Sequence, residues 1–183
     1  KALEETQGVE RFRISSIEPN LLTKEIISFV AQSKYFVPHF HIPLQSGNNK
    51  QLREMKRRYL KELYAERCQW IREYLPNACM GADVIVGFPG ETEEDFLETY
   101  RFLQQLDVSY LHVFTYSERE LTDAAYMQES VPMHIRRERN EMLRILSEKK
   151  KRIFYEKQIG KSFSILLEAK QTDSLMFGFT PNY

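Results

Sequence analysis

The sequence predicts an α/β fold built on a parallel sheet, and two observations carry this prediction. Strand-like and helix-like segments follow one another four times between residues 11 and 116, an alternation that is typical of parallel strands joined by helical crossovers. With 42% hydrophobic and 28% charged residues, the composition is that of an ordinary globular domain. The pattern fits either a doubly wound sheet or part of a βα barrel. Because only four strands are expected, we predict an exposed edge strand that invites pairing with another chain.

The first half of the chain carries clear helix and strand signals. Thr23 is a good N-cap, and the apolar residues around it recur at the four-residue spacing of an amphipathic helix. Two prolines in the segment V-P-H-F-H-I-P-L limit where that strand can form ladder hydrogen bonds. The elements expected here are a helical tail over residues 1–10, strands over 11–17 and 37–44, a helix after residue 23, a polar turn over 45–49, and helices over 50–58 and 60–75.

Residues 81–92, G-A-D-V-I-V-G-F-P-G-E-T, organise the middle of the chain. The run V-I-V predicts a buried strand. The segment G-F-P-G ends this strand, and its glycines allow a tight turn or a close approach of the backbone to a bound group. Thr92, followed three residues later by Asp95, predicts a capped helix. The turn is therefore expected at the C-terminal edge of a strand, where α/β proteins bind ligands, although any βα protein needs such a turn.

The second half continues the alternation and then changes in texture. We expect a helix over residues 93–106, a strand over 109–116, a loop over 117–130, and a long helix over 132–159 that Gly160 ends. Two strand-like segments follow, over 163–168 and 175–179, with a turn around Thr172 and Asp173. We therefore divide the chain into a βα part, residues 1–160, and the start of a small β module, residues 161–183.

Charge and cysteine content exclude several classes of protein. Twenty-six basic and 26 acidic residues cancel, so net charge argues neither for nor against a nucleic-acid partner. The two cysteines, Cys68 and Cys79, fit the reducing cytoplasm and exclude a disulfide framework or an all-cysteine zinc or iron–sulfur site made by this chain alone. No apolar run is long enough for a membrane span. Lacking a signal peptide and an initial methionine, the chain is expected to be part of a longer protein.

Two local patterns leave alternatives open. Residues 50–72 and 131–159 are rich in Lys and Arg. These helices could line nucleic-acid phosphates, or their charged residues could form solvated helix faces, which we favour for most of these residues. His39 and His41 share one face of a strand. They could bind a metal as a pair, or they could be core histidines. We favour core histidines because no third ligand is near in sequence.

Four polar loops follow the four predicted strands, at residues 15–19, 45–47, 87–91 and 115–119. If the strands are parallel, these loops converge on one edge of the sheet. That edge offers carboxylates, an amide, hydroxyls and glycine backbone. Such groups suit a ribose and an adenine better than a hydrolytic triad.

Five motifs, taken in order, resemble the methylthiotransferase branch of the radical S-adenosylmethionine enzymes: R-I-S-S-I-E-P, H-F-H-I-P-L-Q-S-G, M-K-R-R-Y, D-V-I-V-G-F-P-G-E-T and F-T-Y-S-E-R. The resemblance runs from residue 11 to residue 160. It is nearest to the tRNA enzymes that act on threonylcarbamoyladenosine. The isopentenyladenosine and ribosomal-protein branches remain alternatives, as does a non-catalytic RNA-binding βα module. The final G-F-T-P-N-Y resembles the opening of a small RNA-binding β-barrel.

The resemblance implies a fold, cofactors and partners. The fold would be a partial (β/α) barrel of the radical-SAM type, of which this chain supplies the later strands. The intact protein would bind S-adenosylmethionine and 4Fe-4S clusters, whose cysteine ligands lie outside this chain, so the chain alone is expected to be inactive. A deoxyadenosyl radical would take hydrogen from adenine C2, where the methylthio group is placed. A tRNA anticodon stem-loop and a reducing electron donor would be the partners.

The resemblance also implies a set of cofactor-binding residues. Gln45 and Ser46 would contact the ribose, and Arg57 would bind the methionyl carboxylate, which a guanidinium can bond bidentately. The remaining residues would contact adenine, ribose or substrate: Glu18, Gly87, Phe88, Pro89, Thr115 and Tyr116. One departure stands out, because residues 117–122 read S-E-R-E-L-T where many relatives have S-x-R-x-G-T.

Overall fold

The computed structural model of the chain describes residues 2–172 and 175–182. Its main body is a four-stranded, all-parallel sheet in the order β1-β2-β3-β4. The strands are β1 (Phe12–Ile14), β2 (Phe36–His41), β3 (Cys79–Val86) and β4 (Tyr110–Thr115). The predicted parallel sheet is confirmed. Because the strand order follows the chain without reversal, the sheet has the arrangement of a βα barrel rather than that of a doubly wound fold.

Five α-helices accompany the sheet in the described part of the chain. They are α1 (Lys24–Gln32), α2 (Asn49–Glu54), α3 (Lys61–Tyr74), α4 (Glu93–Gln105) and α5 (Met133–Glu156). Three short 3-10 helices lie at Ala2–Glu5, Pro19–Leu21 and Asp123–Tyr126. The helical tail predicted over residues 1–10 is thus a single 3-10 turn, and the predicted loop over 117–130 contains another. No described helix is both long enough and apolar enough to cross a membrane.

One face of the sheet forms the core with the helices. Strand residues of that face, such as Phe40, Met80 and Val84, are fully buried in the same cluster as Phe96 of α4 and Leu143 of α5. Side chains alternate along a strand, so residues between these point to the opposite face. That opposite face lines a wide trough of about 1670 Å³. The sheet is therefore apolar toward its helices, and toward the trough it carries both hydrogen-bonding side chains and apolar ones such as Phe114.

Local signals set several element boundaries as predicted. Thr92 Oγ1 accepts a hydrogen bond from Asp95 N, and Asp95 Oδ2 accepts one from Thr92 N, which completes the expected capping box of α4. Thr23 caps α1 in the same way, accepting from Ile26 N. The helix predicted over residues 50–58 was too long. It ends at Glu54, and Lys56 adopts a left-handed φ of 55° that an α-helix does not allow.

The free edge of β4 is covered by side chains of α5. Leu111 N donates to Ser147 Oγ at 2.8 Å, and that hydroxyl donates to Leu111 O at 3.0 Å. Asn140 Nδ2 donates to Val113 O at 3.1 Å. The predicted exposed edge is therefore not the β4 edge, where side chains of α5 bond to Leu111 and Val113 as a further strand would. The edge that remains for pairing in the described sheet is that of β1.

A two-stranded antiparallel sheet follows α5. It consists of β5 (Leu166–Thr172) and β6 (Leu175–Phe179), so the first strand begins three residues later than predicted. Asp173, in the predicted turn, lies outside the described residues. Arg11 Nη1 donates to Phe179 O at 3.2 Å, and this contact connects the hairpin to the start of β1. The division of the chain at residue 160 stays a prediction.

Candidate functional site

The loops at the C-terminal edge of the sheet bring two predicted site residues together. Glu18, after β1, accepts a hydrogen bond from Arg57, in the segment between α2 and α3, with Oε1 and Nη1 3.3 Å apart. The early end of α2 allows this, because Arg57 leaves the helix after the left-handed residue Lys56. The ion pair spans 39 residues of sequence, and it links the loop after β1 to the segment after α2.

Arg57 has the features of a residue that holds an anion. Its side chain is 29% exposed, yet its Nε atom is buried and has no hydrogen-bond partner within the described chain. A buried N–H group without an acceptor is unfavourable. The Nε and Nη groups of one guanidinium can bind a carboxylate bidentately. In the described chain the guanidinium contacts the Glu18 carboxylate through Nη1, and its contact with a cofactor carboxylate stays a prediction.

The glycine turn after β3 is held in place by α5. Gly87 has a φ of 75°, and a Cβ built on it would lie 2.3 Å from Arg136 Cγ. Gly87 N donates to Glu91 Oε2 at 2.7 Å. The same carboxylate oxygen is 2.7 Å from Arg139 Nη1, and the side chains of Glu91 and Arg139 are 1% and 6% exposed. Burial raises the pKa of the Glu91 carboxyl. The turn therefore requires glycine for its own structure, whatever it also binds.

Phe88 and Tyr116 also meet, from the loops after β3 and β4. Their ring centroids are 5.4 Å apart in an edge-to-face arrangement. Tyr116 N donates to Val86 O at 2.8 Å, and Arg136 Nη1 donates to Tyr116 O at 2.8 Å. The Tyr116 hydroxyl is buried without a described hydrogen-bond partner. The structure thus brings these two predicted residues together, and their contact with an adenine stays a prediction.

The other predicted contacts differ in how accessible they are. Ser46 is 1% exposed, and its hydroxyl already bonds with Thr99 Oγ1 and Asn48 N, both at 3.1 Å. Gln45 adopts a left-handed φ of 70° and connects through its backbone to β3. Thr115, at the end of β4, lines the trough. Pro89 is buried in the glycine turn. The proposed ribose contacts of Gln45 and Ser46 therefore remain predictions, and the Ser46 hydroxyl has a structural role.

Sequence reasoning missed Arg136 and Arg139, the two residues that hold the site loops. Both are buried polar anchors on α5, where they bind the loops after β3 and β4. Arg136 also donates to Val131 O at 2.7 Å and to the Glu118 carboxylate. The spacing of buried residues on α5 held a usable signal. Arg136 and Arg139 continue the helical stripe of Leu143 and Leu146, which marks them as inward-facing.

The trough next to this edge is lined by hydrogen-bonding side chains and by apolar ones, among them Phe114, Ile145 and Phe154. The polar lining residues from the sheet and its loops are Arg13, Ser15, Ser16, His39, His41, Asp83, Tyr110, His112 and Thr115. From α5, Arg137 and Arg144 also contribute. His39 and His41 share this face, as predicted. Burial, together with the charge of Arg13, lowers the pKa of His39 to about 4, so this imidazole is neutral at physiological pH.

The two cysteines are buried thiols rather than candidate cluster ligands. Cys68 and Cys79 are both buried, and burial raises the pKa of their thiols to about 12 and about 11. A 4Fe-4S cluster needs several cysteine thiolates at one place. Two buried thiols do not make such a set, and the origin of the cluster ligands stays a prediction.

The loop after β4 contains a residue with a strained backbone conformation. Leu121, at the position where the resemblance implies a glycine, adopts a φ of 65° and is 91% exposed. A left-handed conformation is strained for a residue with a branched side chain and unstrained for glycine. The backbone therefore keeps the shape that glycine favours although the glycine is absent.

Comparisons with known proteins agree with this description. A model of the Radical SAM superfamily matches residues 1–103. The chain is 42% identical over 161 residues to the threonylcarbamoyladenosine tRNA methylthiotransferase MtaB of Aquifex aeolicus. The aligned region covers 88% of this chain and 39% of that protein. The chain is 41% identical over 181 residues to the protein of the same name from Bacillus subtilis, covering 97% and 40%.

A third relative has a different substrate in its name. The chain is 36% identical over 175 residues to the tRNA-2-methylthio-N(6)-dimethylallyladenosine synthase of Symbiobacterium thermophilum, covering 94% of this chain and 37% of that protein. The chain thus spans about two fifths of the length of these relatives. The predicted resemblance is confirmed at the level of the family.

Solved structures support the fold. Escherichia coli coproporphyrinogen III oxidase (HemN), described as a radical SAM enzyme, superposes with a TM-score of 0.57 over 80% of this chain and 32% of that one. Sequence identity is 16%, so the likeness concerns the fold alone. It agrees with a sheet whose parallel strands follow the order of the chain.

Proposed function

Because the chain belongs to the radical SAM superfamily, we propose that it is part of a tRNA methylthiotransferase. Its substrate in this proposal is threonylcarbamoyladenosine in a tRNA anticodon stem-loop, and the methylthio group is added to adenine C2. Proteins named for that substrate are 41–42% identical to this chain, and those named for dimethylallyladenosine are 32–38% identical. Identity favours the first substrate by a modest margin, so a structural argument is needed to choose.

The hydrogen-bonding side chains on the sheet face of the trough are the observation that favours this choice. A threonylcarbamoyl group presents a urea, a hydroxyl and a carboxylate, all of which need hydrogen-bond partners when they leave water. A dimethylallyl group is a hydrocarbon and needs an apolar pocket. The sheet face of the trough and its loops offer hydroxyl and guanidinium groups, among them Ser15, Ser16 and Arg13. These groups can pair with the polar substituent, and the trough also carries apolar side chains such as Phe114 and Ile145.

The cofactor proposal rests on the orphaned polar groups at the strand ends. Bound S-adenosylmethionine supplies radical chemistry once a cluster held elsewhere in the complete protein reduces it. On this chain, Arg57 would hold its carboxylate through Nε and Nη, with Glu18 orienting the guanidinium. Phe88 and Tyr116 would contact the adenine, while the turn at Gly87 and Pro89 closes the pocket against water. A reducing electron donor and a cytoplasmic location belong to the same proposal.

The experiment is mass spectrometry of tRNA nucleosides from cells with and without the complete gene. The expected result is loss of the methylthio form of threonylcarbamoyladenosine and accumulation of its unmodified parent. Loss of the methylthio form of dimethylallyladenosine instead would keep the reaction and replace the substrate. If both nucleosides are unchanged, tRNA methylthiolation is the wrong function. Reintroducing the gene with Arg57→Ala, next to a wild-type copy, then tests whether the chain's own cofactor residue is required.

A further inference from the structure

Two histidines and a carboxylate cluster on the inner face of the sheet, within the trough. His41 Nε2 is 2.9 Å from Asp83 Oδ2, and His112 Nδ1 is 3.5 Å from Asp83 Oδ1. The three residues offer ligand atoms that all lie within 4.8 Å of one another. They come from β2, β3 and β4, and the ladder pairs Asp83 directly with His112. The cluster is therefore positioned by the rigid sheet rather than by a loop.

We infer that His41, Asp83 and His112 form a binding site for a divalent transition-metal cation of the Zn²⁺ type. Two imidazoles and one carboxylate are a donor set that zinc and ferrous iron take in proteins, with further positions left open. Bonds of about 2.0–2.1 Å to a tetrahedral zinc ion place ligand atoms roughly 3.3 Å apart. The two histidine–carboxylate distances, 2.9 Å to Asp83 Oδ2 and 3.5 Å to Asp83 Oδ1, lie on either side of this value.

Tyr110 adds a second, independent feature of a metal site. A metal-binding histidine commonly uses its other ring nitrogen for a contact that fixes the ring. Tyr110 Oη lies 3.5 Å from His41 Nδ1 and 3.2 Å from His39 Nε2, while Nε2 of His41 faces Asp83. Tyr110 reaches across β3 because Gly81 has no side chain, and a Cβ there would lie 2.3 Å from the tyrosine ring.

The exposure of the three residues gives the site an entry path. The side chains of His41 and Asp83 are 11% and 23% exposed, whereas that of His112 is 54% exposed. A cation entering from the trough would meet His112 first, and its open positions would face the trough. There they would be available to water or to an oxygen or sulfur atom of a bound molecule. This site goes beyond the proposed function, since it does not depend on which tRNA nucleoside is modified.

The test is equilibrium dialysis of the complete gene product against Zn²⁺, followed by elemental analysis. The protein is purified without oxygen, and its iron content is measured so that zinc bound to cysteines of a damaged cluster is recognised. We expect wild type to bind one more zinc ion per chain than His112→Gln and Asp83→Asn. The matched control is His134→Gln, which removes an exposed histidine in the first turn of α5 and leaves zinc binding unchanged.

A second variant tests the role of Tyr110. Tyr110→Phe keeps all three ligands and removes the hydroxyl that contacts His41, so zinc affinity should fall by about 10- to 100-fold while the number of sites stays the same. The inference is overturned if wild type and His112→Gln bind equal zinc with equal dissociation constants at equal iron content. It is also overturned if wild type binds no zinc beyond what its cysteines account for.

Discussion

Arg139 and Glu91 form an ion pair that is almost entirely enclosed by the protein, with Nη1 and Oε2 2.7 Å apart. Glu91 follows the glycine turn, and Arg139 lies on α5, 48 residues later. Through this pair, the long helix is connected to the loop that carries three of the predicted cofactor-binding residues. Arg139 also reaches Glu93, whose side chain is 60% exposed. One guanidinium thus has a buried and an exposed carboxylate partner.

The two carboxylates should differ strongly in their contribution to stability. Glu91→Gln leaves the buried Arg139 charge without its enclosed partner, which we expect to lower the free energy of unfolding by about 3–5 kcal/mol. Glu93→Gln removes the exposed partner and should cost less than about 1 kcal/mol. Urea unfolding of the complete gene product, monitored by circular dichroism, measures both. Equal effects of the two substitutions would contradict the assigned role of the buried pair.

Gly87 and Gly90 provide a matched pair for the glycine turn. Both have a left-handed φ, of 75° and 78°, so alanine at either position is strained by about 1–2 kcal/mol. At Gly87 the new Cβ also meets Arg136 at 2.3 Å, whereas at Gly90 the nearest atom is 3.7 Å away. We expect Gly87→Ala to cost about 1–3 kcal/mol more than Gly90→Ala. The same unfolding measurement decides, and a larger loss at Gly90 would refute the packing explanation.

Arg57 should contribute to cofactor affinity through hydrogen bonds to a charged group. Arg57→Ala is expected to weaken binding of S-adenosylmethionine by about 1.5–3 kcal/mol. Isothermal titration calorimetry of the complete gene product measures this change. Arg58→Ala is the control, because Arg58 is an exposed neighbour in the same segment. If Arg57→Ala and Arg58→Ala leave the dissociation constant equally unchanged, Arg57 does not hold the cofactor.

Leu121 offers a stabilising substitution. Leu121→Gly removes the left-handed strain, and after allowing for the greater freedom of glycine in the unfolded chain we expect a gain of about 0.5–1 kcal/mol. Leu121→Ala keeps a Cβ and therefore the strain, so it should change stability little. Urea unfolding midpoints of the two variants give the comparison. A gain of the same size in both would show that the exposed leucine side chain, rather than its backbone, is unfavourable.

Much of the fold could be predicted because its signals are local. The capping box at Thr92 and Asp95 and the β-branched run in β3 each lie within a few residues, so the strand-turn-helix unit around Gly87 was expected and is confirmed. The parallel sheet followed from the alternation of such units. The motifs also identified the family, because five short segments in a fixed order are specific even though each one is modest.

The contacts that were missed depend on pairing between distant strands. Asp83 and His112 are 29 residues apart, and only the register of β3 with β4 makes them neighbours. The sequence around His39 and His41 therefore could not show that Asp83 and His112 lie on the same face of the sheet. The end of α2 at Glu54 escaped for a related reason. The residues after Glu54 favour a helix, so the local sequence gives no stop signal. The ion pair of Arg57 with Glu18 forms only because Arg57 lies outside the helix, and Glu18 is distant in the sequence.

The covering of β4 by Ser147 and Asn140 has a consequence for how a large molecule could reach the trough. A sheet whose last strand is occupied by a helix cannot close into a full ring through that strand, so a barrel built on it keeps a slot along its side. The slot runs beside α5, where Arg137 and Arg144 face the trough. The RNA substrate proposed above would then enter sideways, with its backbone passing along these cationic side chains, instead of being threaded through the end of the barrel.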